Sequence, residues 1–419
     1  MIVETAVPES RDVVVVGAGL AGLVAARVLE RANLGVVVVE ASDGVGGRVR
    51  SDTVDGYILD RGFQVLLTGY PEIHRHLDIP ALDLRAFEPG AIVWRDGAGT
   101  VVGDPFRRPR TLWSTATARI GSLSDKARIA WLRESLKRKD PRALMRGDDI
   151  PTATALRAYG FSSTMIERFF RPLIGGIQLD PSLSGSRRMF DIIFRTLATG
   201  DSAVPARGMG EITAQLASAL SSPIHLHSPA ATVAPGSVTL ANGRKITAKV
   251  VVIATEGPAA ARLLNLPEVA SRSAGCVYFA ADSPPVDGAY VVLDGHGQGP
   301  VLNVAVMSEV SPQYAPVGKH LVAAAMPGLV EGDLEALART QMRSWWGNQV
   351  DSWHHLRTYR IPHGQPGQDP PFHPKKRVSL GDGLFVCGDH RDTGSIQGAM
   401  FSGRRCAEAV IDSLASTTI

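Results

Sequence analysis

Two all-valine runs near the start of the chain, with a helical pattern between them, give the first fold signal. Residues 13–16 and 36–39 are each four valines, and residues 23–31 carry apolar side chains at helical spacing. Strands that are apolar at every position are typical of a parallel sheet covered on both faces. The pattern therefore predicts a strand–helix–strand unit of an α/β protein, with Glu40 at the end of its second strand.

The rest of the chain alternates between helical patterns and short apolar runs. We predict helices at 123–139, 152–159, 162–170 and 333–346, and a long helix through Ala407 and Val410. We predict strands at 224–233, 250–253, 276–279, 289–293 and 384–387, with those in the 269–375 stretch forming an antiparallel sheet. Residues 172–176 and Pro181 are expected to break the helical pattern, and the proline-rich residues 362–374 are expected to form a connector.

Composition excludes several classes of protein. Of the 419 residues, 44% are hydrophobic and 20% are charged, which is ordinary for a globular protein and excludes a disordered or collagen-like chain. No apolar run reaches the ~18 residues that a spanning helix needs. The first ten residues lack a basic segment and an apolar core, so we expect no secretory signal. The three cysteines lie far apart, which fits a reducing, cytoplasmic compartment.

Charge is concentrated in one segment. The net charge is +3, but residues 105–146 contain twelve Lys and Arg against three acids, a local balance of +9. Such a segment is either a solvated helical face or a site of peripheral contact with an anionic membrane. No nucleic-acid-binding module accompanies it, so we expect no nucleic-acid partner.

A glycine-rich turn follows the first valine run. Gly17 permits the tight turn, Gly19 lets a pyrophosphate approach the backbone, and Gly22 allows the helix to approach the strand closely. The following helix start offers free N–H groups and the positive end of a dipole. Glu40 can accept hydrogen bonds from both ribose hydroxyls and would repel a 2′-phosphate. The turn therefore predicts a dinucleotide site that disfavours NADP.

A second glycine cluster distinguishes FAD from NAD. Gly46, Gly47 and Arg48 come directly after the acidic strand, where a simple NAD dehydrogenase needs no such cluster. An extended FAD runs past this loop, and Arg48 can offer a fork of donors to its diphosphate. Elsewhere no second GxGxxG follows a strand, so we expect no nicotinamide co-substrate.

Together these motifs resemble those of the flavin amine oxidase superfamily, which includes monoamine and polyamine oxidases, protoporphyrinogen oxidase and phytoene desaturase. Further segments are similar to that family at 59–64, 205–211, 224–233, 250–255, 388–389 and 394–399. The resemblance implies an α/β Rossmann-type (glutathione-reductase-like) FAD-binding domain with an α+β substrate domain inserted in two pieces. We expect the FAD-binding domain at 1–68, 202–268 and 376–419, and the substrate domain at 69–201 (mostly helical) and 269–375 (mostly sheet).

The resemblance also implies roles for individual residues. Asp389 would contact the diphosphate–ribityl stretch of a non-covalent FAD, and the N–H at Ile396 would face flavin O2. The full set of expected cofactor contacts is Gly17, Gly19, Leu20, Ala21, Gly22, Glu40, Ala41, Gly46, Gly47, Arg48, Gly62, Phe63, Gln64, Ala230, Ala254, Gly388, Asp389, Ser395, Ile396 and Ala399. Three residues are candidates to touch substrate or flavin, with a structural role equally open, namely His390, Arg391 and Gln64. Several histidines lie among prolines without ligand spacing, so we expect no metal.

The expected reaction is transfer of a hydride from a C–H bond of an apolar or amphipathic small molecule to flavin N5, with reoxidation by oxygen or a quinone-like acceptor. Two family devices for amine oxidation are missing. No lysine occurs in residues 250–318, and the position before Ile396 is Ser395 where the family has an aromatic wall. An amine oxidase that releases hydrogen peroxide, a redox-neutral isomerase or mutase, and a flavoprotein that only binds a partner remain alternatives. The oligomeric state is not predicted.

Overall fold

The computed structural model describes residues 7–104 and 107–417, with the side chains of residues 110 and 417 left out of the description. Two large sheets and two small ones are surrounded by helices. The strands in this part of the chain are β1 (Ser10–Val16), β2 (Val36–Val39), β3 (Ser51–Val54), β4 (Tyr57–Asp60), β5 (Leu66–Leu67), β6 (Leu84–Ala86), β7 (Gly90–Arg95), β8 (Ala98–Gly103), β9 (Ser202–Pro205), β10 (Ile224–His225), β11 (Ala230–Ala234), β12 (Ser237–Leu240), β13 (Lys245–Ile253), β14 (Ser271–Ala281), β15 (Val291–Asp294), β16 (Asn303–Val306), β17 (His320–Pro327), β18 (His354–Pro366), β19 (Ser379–Gly381) and β20 (Leu384–Val386).

The helices lie on both faces of the first sheet and on both faces of the second. In the described residues they are α1 (Leu20–Arg31), α2 (Pro71–His76), α3 (Leu112–Thr117), α4 (Leu123–Arg138), α5 (Thr152–Ala158), α6 (Ser163–Met165), α7 (Arg171–Gln178), α8 (Arg187–Thr199), α9 (Gly210–Ser218), α10 (Gly257–Leu264), α11 (Met307–Val310), α12 (Leu334–Trp346) and α13 (Ile396–Thr417). On the second sheet, α12 packs on the face opposite to that covered by α7. Short 3-10 turns occupy Pro80–Leu82, Pro109–Thr111, Ala143–Met145, Pro312–Tyr314, Gly347–Ser352 and Asp389–Arg391. None of these helices is long and apolar enough to cross a membrane.

The first sheet confirms the predicted parallel core. Its strand order is β10-β2-β1-β13-β12-β11, and β20 pairs with the end of β13. Strands β10, β2, β1, β13 and β20 run parallel, with Val13 opposite Val36 on one side and Val250 on the other. The valines of β1 and β2 are buried on both faces of the sheet, which explains why their pattern has no polar alternation.

The second sheet has seven strands in the order β18-β14-β17-β16-β15-β7-β8. All its pairings are antiparallel except that of β15 with β7. Strands β7 and β8 come from the mostly helical stretch 69–201, and the hydrophobic pattern did not predict them. Neither strand shows the alternation that would reveal it, because Ala91, Ile92 and Val93 of β7 are all buried and only Val102 of the edge strand β8 is buried.

Three predictions about secondary structure are wrong. Residues 224–233 form two short strands at opposite edges of the first sheet, because the chain between them turns around the end of β2. Residues 172–176 lie inside α7, since Pro172 falls in the first turn of that helix, after a π-helical turn at Ile166–Phe170. Residues 362–366 belong to β18, which is an edge strand where proline is tolerated.

A buried carboxylate joins the two large parts of the molecule. Asp60, at the end of β4, accepts hydrogen bonds from the Ser51 hydroxyl (2.6 Å), the Met209 N–H (2.8 Å) and the Tyr314 hydroxyl (2.9 Å). Tyr278, on β14 of the second sheet, donates to the Asp60 main-chain carbonyl at 2.9 Å. Burial raises the pKa of Asp60 to about 6, against the opposing effect of its three hydrogen bonds.

Replacing Asp60 by asparagine is expected to flatten the pH dependence of stability. Because the pKa of Asp60 is raised in the folded state, the native protein binds a proton more tightly, and stability falls as pH rises from about 4 to about 6. The shift corresponds to about 3 kcal/mol. The introduced amide keeps the two bonds at Oδ1 and can donate to Tyr314, so the variant should fold. Chemical denaturation between pH 4 and pH 8 measures the free energy of unfolding of both proteins. A difference in that free energy that stays constant across the range would contradict the prediction.

Candidate functional site

Two glycine turns lie side by side at the carboxyl end of β1. The Gly46 N–H donates to the Ala18 carbonyl at 2.8 Å, and Gly19 pairs with Gly46 across an isolated bridge. Gly47 also lies close to Gly19, since a Cβ placed on Gly47 would be 3.5 Å from the Gly19 Cα. The structure thus brings together the two glycine motifs that the sequence separates by a helix and a strand.

The first turn leaves room for a ligand at one glycine only. A Cβ on Gly17 would lie 2.9 Å from the Ala254 carbonyl oxygen, and one on Gly22 would lie 1.9 Å from the Gly17 carbonyl oxygen. A Cβ on Gly19 would meet no atom within 4 Å. No side chain caps the start of α1, so the N–H groups of Leu20 and its neighbours face this space. A phosphate group fits here, because the space adjoins an uncapped helix N-terminus.

Glu40 lies where the sequence places it, just after β2. Its Oε2 accepts from the Ala18 N–H at 2.7 Å, and its Oε1 accepts from the Ser42 N–H at 2.9 Å and the Ser42 hydroxyl at 2.8 Å. Its own carbonyl accepts from Ser228, which brings the start of β11 with Ala230 to the same end of the sheet, next to Ala41. An ionised carboxylate has about four acceptor sites, of which these bonds use three, so Oε2 of Glu40 can still accept from a hydroxyl.

A charged pair connects the second glycine turn to the carboxyl-terminal segment. Arg48 donates to Asp389 at 2.7 Å and to the Gly364 carbonyl at 2.8 Å. Burial by itself would lower the pKa of Arg48, but the attraction of Asp389 outweighs it and leaves that pKa raised. Gln64 donates to the Arg48 carbonyl at 2.7 Å. Three stretches far apart in sequence therefore meet around one guanidinium group.

The start of α13 forms the third side of the site. The Ser395 hydroxyl accepts from the Gly398 N–H at 2.9 Å, and its carbonyl accepts from the Ala399 N–H at 2.9 Å, so Ser395 is the helix cap and Ile396 is the first helical residue. Tyr70 is partly buried beside Ser395, and the loss of solvent around its hydroxyl raises the pKa of Tyr70 to about 12. An aromatic ring thus adjoins the position where the sequence has a small residue, and no pattern signal pointed to Tyr70.

The helices on the two sides of the site are packed together. Gly403 on α13 lies against Ala21 on α1, where an added Cβ would be 2.2 Å from the Ala21 carbonyl oxygen. On the other side, Glu72 of α2 accepts two hydrogen bonds from Arg404 and one from His76. These contacts lower the pKa of Glu72 to about 2, although burial opposes the change. The hydrophobic pattern did not reveal this ion pair, because its members are 332 residues apart.

The three candidate substrate-contact residues have different surroundings. His390 is buried, and neither ring nitrogen has a hydrogen-bond partner among the described residues. Burial is the main cause that lowers the pKa of His390 to about 4, so its imidazole is neutral near pH 7. Arg391 donates to the Arg377 carbonyl and lies near Arg405, and burial followed by that like charge lowers the pKa of Arg391. The Gln64 amide donates to the main-chain carbonyls of Arg48 and Arg61 and so joins the two loops that contain them.

Backbone geometry explains the remaining predicted glycines. Gly62 has φ +96°, and a Cβ there would lie 2.6 Å from Ile361. Gly388 has φ +142°, and a Cβ there would lie 2.6 Å from the His390 ring. Phe63 follows Gly62 and packs edge-on against Phe87, with ring centroids 6.3 Å apart. Within residues 7–104 and 107–417, no three His, Cys, Asp or Glu side chains lie close enough to hold a metal.

Similarity to known proteins extends over nearly the whole chain. A family model described as flavin-containing amine oxidoreductase matches residues 20–411. The chain belongs to this family. Its fold is accordingly that of the family, with a Rossmann-type cofactor domain and a substrate domain.

Individual relatives are more distant. Putrescine oxidase from Kocuria rosea is 45% identical over 98 residues, which are 23% of this chain and 20% of that protein. Protoporphyrinogen oxidase 2 from Arabidopsis thaliana is 29% identical over 186 residues, which are 43% of this chain and 35% of that protein. The chain therefore aligns with about a third or less of the length of these two relatives. A solved structure of putrescine oxidase bound to putrescine has a TM-score of 0.72 at 17% identity, over 96% of this chain and 99% of that one.

Proposed function

We propose that the chain binds FAD non-covalently, in an extended form, across three separated stretches. One observation carries the proposal: the open space at Gly19 lies between two hydrogen-bonded glycine turns and an uncapped helix N-terminus. The residue types fit a diphosphate there and a ribose at Glu40. Residues 1–68, 202–268 and 376–419 would be the FAD-binding domain, and residues 69–201 and 269–375 the substrate domain. Residues 1–6, 105, 106, 418 and 419 of these ranges lie outside the described residues.

Each stretch would have its own task. The N–H groups at the start of α1 would bind the diphosphate, and Arg48 and Asp389 would hold its ribityl side. The N–H groups at the start of α13 would stabilise negative charge on the flavin ring, since a helix N-terminus favours an anion. Ser395 caps that helix at only one N–H, at Gly398, which leaves other first-turn donors for this purpose.

The proposed reaction is oxidation or desaturation of a C–H bond in an apolar or amphipathic small molecule. When bound, FAD supplies a ring that accepts a hydride from a substrate carbon. The chain orients the substrate and excludes water, and the buried apolar residues of β14 favour an apolar ligand. Oxygen or a quinone-like molecule would reoxidise the cofactor. Contact with a membrane surface through residues 105–146 would give access to such substrates.

Amine oxidation is the second candidate, and the similarity to putrescine oxidase favours it. The site lacks the lysine on which family amine oxidases rely, since β14 contains none and Lys319, the next in the chain, is exposed and paired with Asp282. Tyr70 beside Ser395 supplies one aromatic ring of the kind such enzymes use. A redox-neutral isomerase or mutase would require the flavin to be reduced before any turnover.

The decisive experiment is anaerobic mixing of the yellow protein with separate pools of amines and of apolar compounds. Loss of flavin absorbance near about 450 nm with the apolar pool supports the proposal. Bleaching by amines alone, with hydrogen peroxide formed on admission of air, would establish the second candidate instead. Turnover only after chemical reduction, with no net change in absorbance, would indicate an isomerase. A colourless protein that takes up no FAD would overturn the cofactor assignment.

Replacing Glu40 by alanine is expected to weaken FAD retention by about 10- to 100-fold, because the ribose loses its acceptor and the turn loses the bonds to Ala18 and Ser42. Glu40→Gln is the matched control, since it keeps the shape and one acceptor oxygen and should lose less. Gel filtration followed by an absorbance ratio measures retention. A fully yellow Glu40→Ala protein would show that this carboxylate does not hold the cofactor.

A further inference from the structure

The basic segment presents large apolar side chains to solvent. Seven large hydrophobic side chains are exposed in the described residues, and four of them lie within twenty positions of one another. We call these four the exposed apolar strip, and they are Leu112 (60% exposed), Trp113 (80%), Leu123 (71%) and Trp131 (61%). Tryptophan at such exposure is unusual, since its burial is among the most favourable of any side chain.

Helical geometry places part of the strip in one line. Leu123, Ala127 and Trp131 are all exposed and recur every four residues along α4, so they share a face of that helix. The opposite face of α4, with Leu132 and Leu136, is buried. The outward face therefore presents two large apolar side chains that no core covers, beside polar residues such as Ser124 and Glu134.

The second helix of the strip is tied to the first. Lys126 of α4 donates to the carbonyls of Ala116 (2.6 Å) and Ala118 (2.7 Å), at the end of α3. Leu112 and Trp113 lie one turn before Ala116 on that helix. The α3 and α4 contributions thus belong to one locally fixed surface.

Exposed cations without ion-pair partners occur in the same segment, and two of them, Lys137 and Arg138, follow Trp131 within two turns of α4. Six exposed side chains of the segment form no ion pair with any described residue, and they are Arg119, Lys137, Arg138, Lys139, Arg142 and Arg146. Arg107 and Arg108, by contrast, pair with Asp201 and Glu88. Unpaired positive charge beside exposed tryptophan is complementary to the headgroup region of an anionic bilayer, where aromatic rings and cations both bind favourably.

We propose that this surface docks the protein on an anionic lipid bilayer, with the two tryptophans at the level of the headgroups. An acidic protein partner would also match the positive charge. It would not explain why two tryptophans and two leucines are exposed on a helical surface that has no groove to receive a partner. A second copy of this chain is disfavoured, because six like charges would face six others. The inference is independent of which substrate the flavin oxidises.

The test uses the full-length, flavin-loaded protein and vesicles of phosphatidylcholine with and without phosphatidylglycerol. We expect co-sedimentation with the anionic vesicles only, and loss of binding as salt rises above about 0.1 M. Brominated lipid should quench part of the tryptophan fluorescence, since the other four tryptophans are buried or partly buried and out of reach. Quenching should disappear in Trp113→Ser/Trp131→Ser.

Variants distinguish binding through this surface from non-specific adsorption to vesicles. Trp113→Ser/Trp131→Ser should weaken vesicle binding by at least about tenfold, and Lys137→Glu/Arg138→Glu by a similar amount, since each cation contributes about fivefold. The matched control Leu329→Ser removes an apolar side chain that is 82% exposed elsewhere and should change nothing. Flavin absorbance of the same samples reports folding and cofactor binding separately.

Three results would overturn the proposal. The first is equal binding to neutral and anionic vesicles, and the second is undiminished vesicle binding by Trp113→Ser/Trp131→Ser. The third is a protein that binds no vesicles but self-associates, with the self-association lost in the same double variant. The last result would identify a second copy as the occupant. Loss of yellow colour with intact vesicle binding would instead reject the cofactor proposal and leave this one standing.

Discussion

Replacing Gly19 by valine is expected to remove FAD binding while leaving the fold in place. A Cβ added at Gly19 meets no protein atom within 4 Å, and Gly19 has φ −77°, which any residue adopts. The loss of stability should therefore stay near about 1 kcal/mol, the cost of a poor helix cap. The methyl groups would occupy the space we assign to the diphosphate, so affinity should fall by at least about 100-fold, equal to about 3 kcal/mol.

Two neighbouring variants make this result specific. Gly19→Ala should lose less affinity than valine, because the space is reduced by one carbon rather than three. Gly22→Ala should fail in a different way, since its Cβ would lie 1.9 Å from the Gly17 carbonyl oxygen and the packing of α1 must shift. Thermal denaturation of the cofactor-free proteins and titration with FAD measure the two effects separately. A Gly19→Val protein that binds FAD normally would refute the placement of the diphosphate.

Replacing Arg48 by alanine is expected to cost both stability and cofactor. The Asp389 side chain is only 6% exposed, so removing Arg48 would leave a buried carboxylate without its ion-pair partner. Breaking such pairs costs about 3–5 kcal/mol when both partners are buried, and because Arg48 is 32% exposed we expect about 2 kcal/mol here. Arg48 also ties the Gly46 turn to β18 through Gly364, so the site should lose its shape as well as a charge.

A double-mutant cycle isolates the pair. Arg48→Ala with Asp389→Asn should be less destabilised than the sum of the single variants, because the neutral amide needs no counter-charge. Arg207→Ala removes a partner from an exposed pair with Glu211 and should change stability by less than about 0.5 kcal/mol. Urea denaturation gives the free energies. Additivity within error would show that Arg48 and Asp389 do not stabilise each other.

The sequence predicted the parallel sheet and the glycine turns because those signals are local. Four valines without polar alternation indicate burial on both faces, and Gly17 and Gly22 occupy positions where a Cβ would collide with backbone. The confirmed helices also had local signals, such as Asp333, which caps α12 with bonds to Glu335 and Ala336.

The missed features depend on distant contacts. The sequence patterns assigned Asp60 no role of its own, and only the fold brings it Met209 and Tyr314. Strands β7 and β8 have little apolar alternation, and their place in the sheet depends on the parallel pairing of β7 with the distant strand β15. Tyr70 and the Glu72–Arg404 pair could not be predicted either, since no local pattern relates residues that the chain separates by hundreds of positions.

The hydrogen bonds at Asp60 restrict how the enzyme can open. Tyr314 and Tyr278 belong to the part of the molecule that holds the second sheet, and both bind an aspartate of the part that holds the first. A hinge rotation that swung the two parts apart would break both bonds and expose a carboxylate now sealed from water. Ligand entry and exit must then use local movements of surface segments rather than a hinge motion of whole domains.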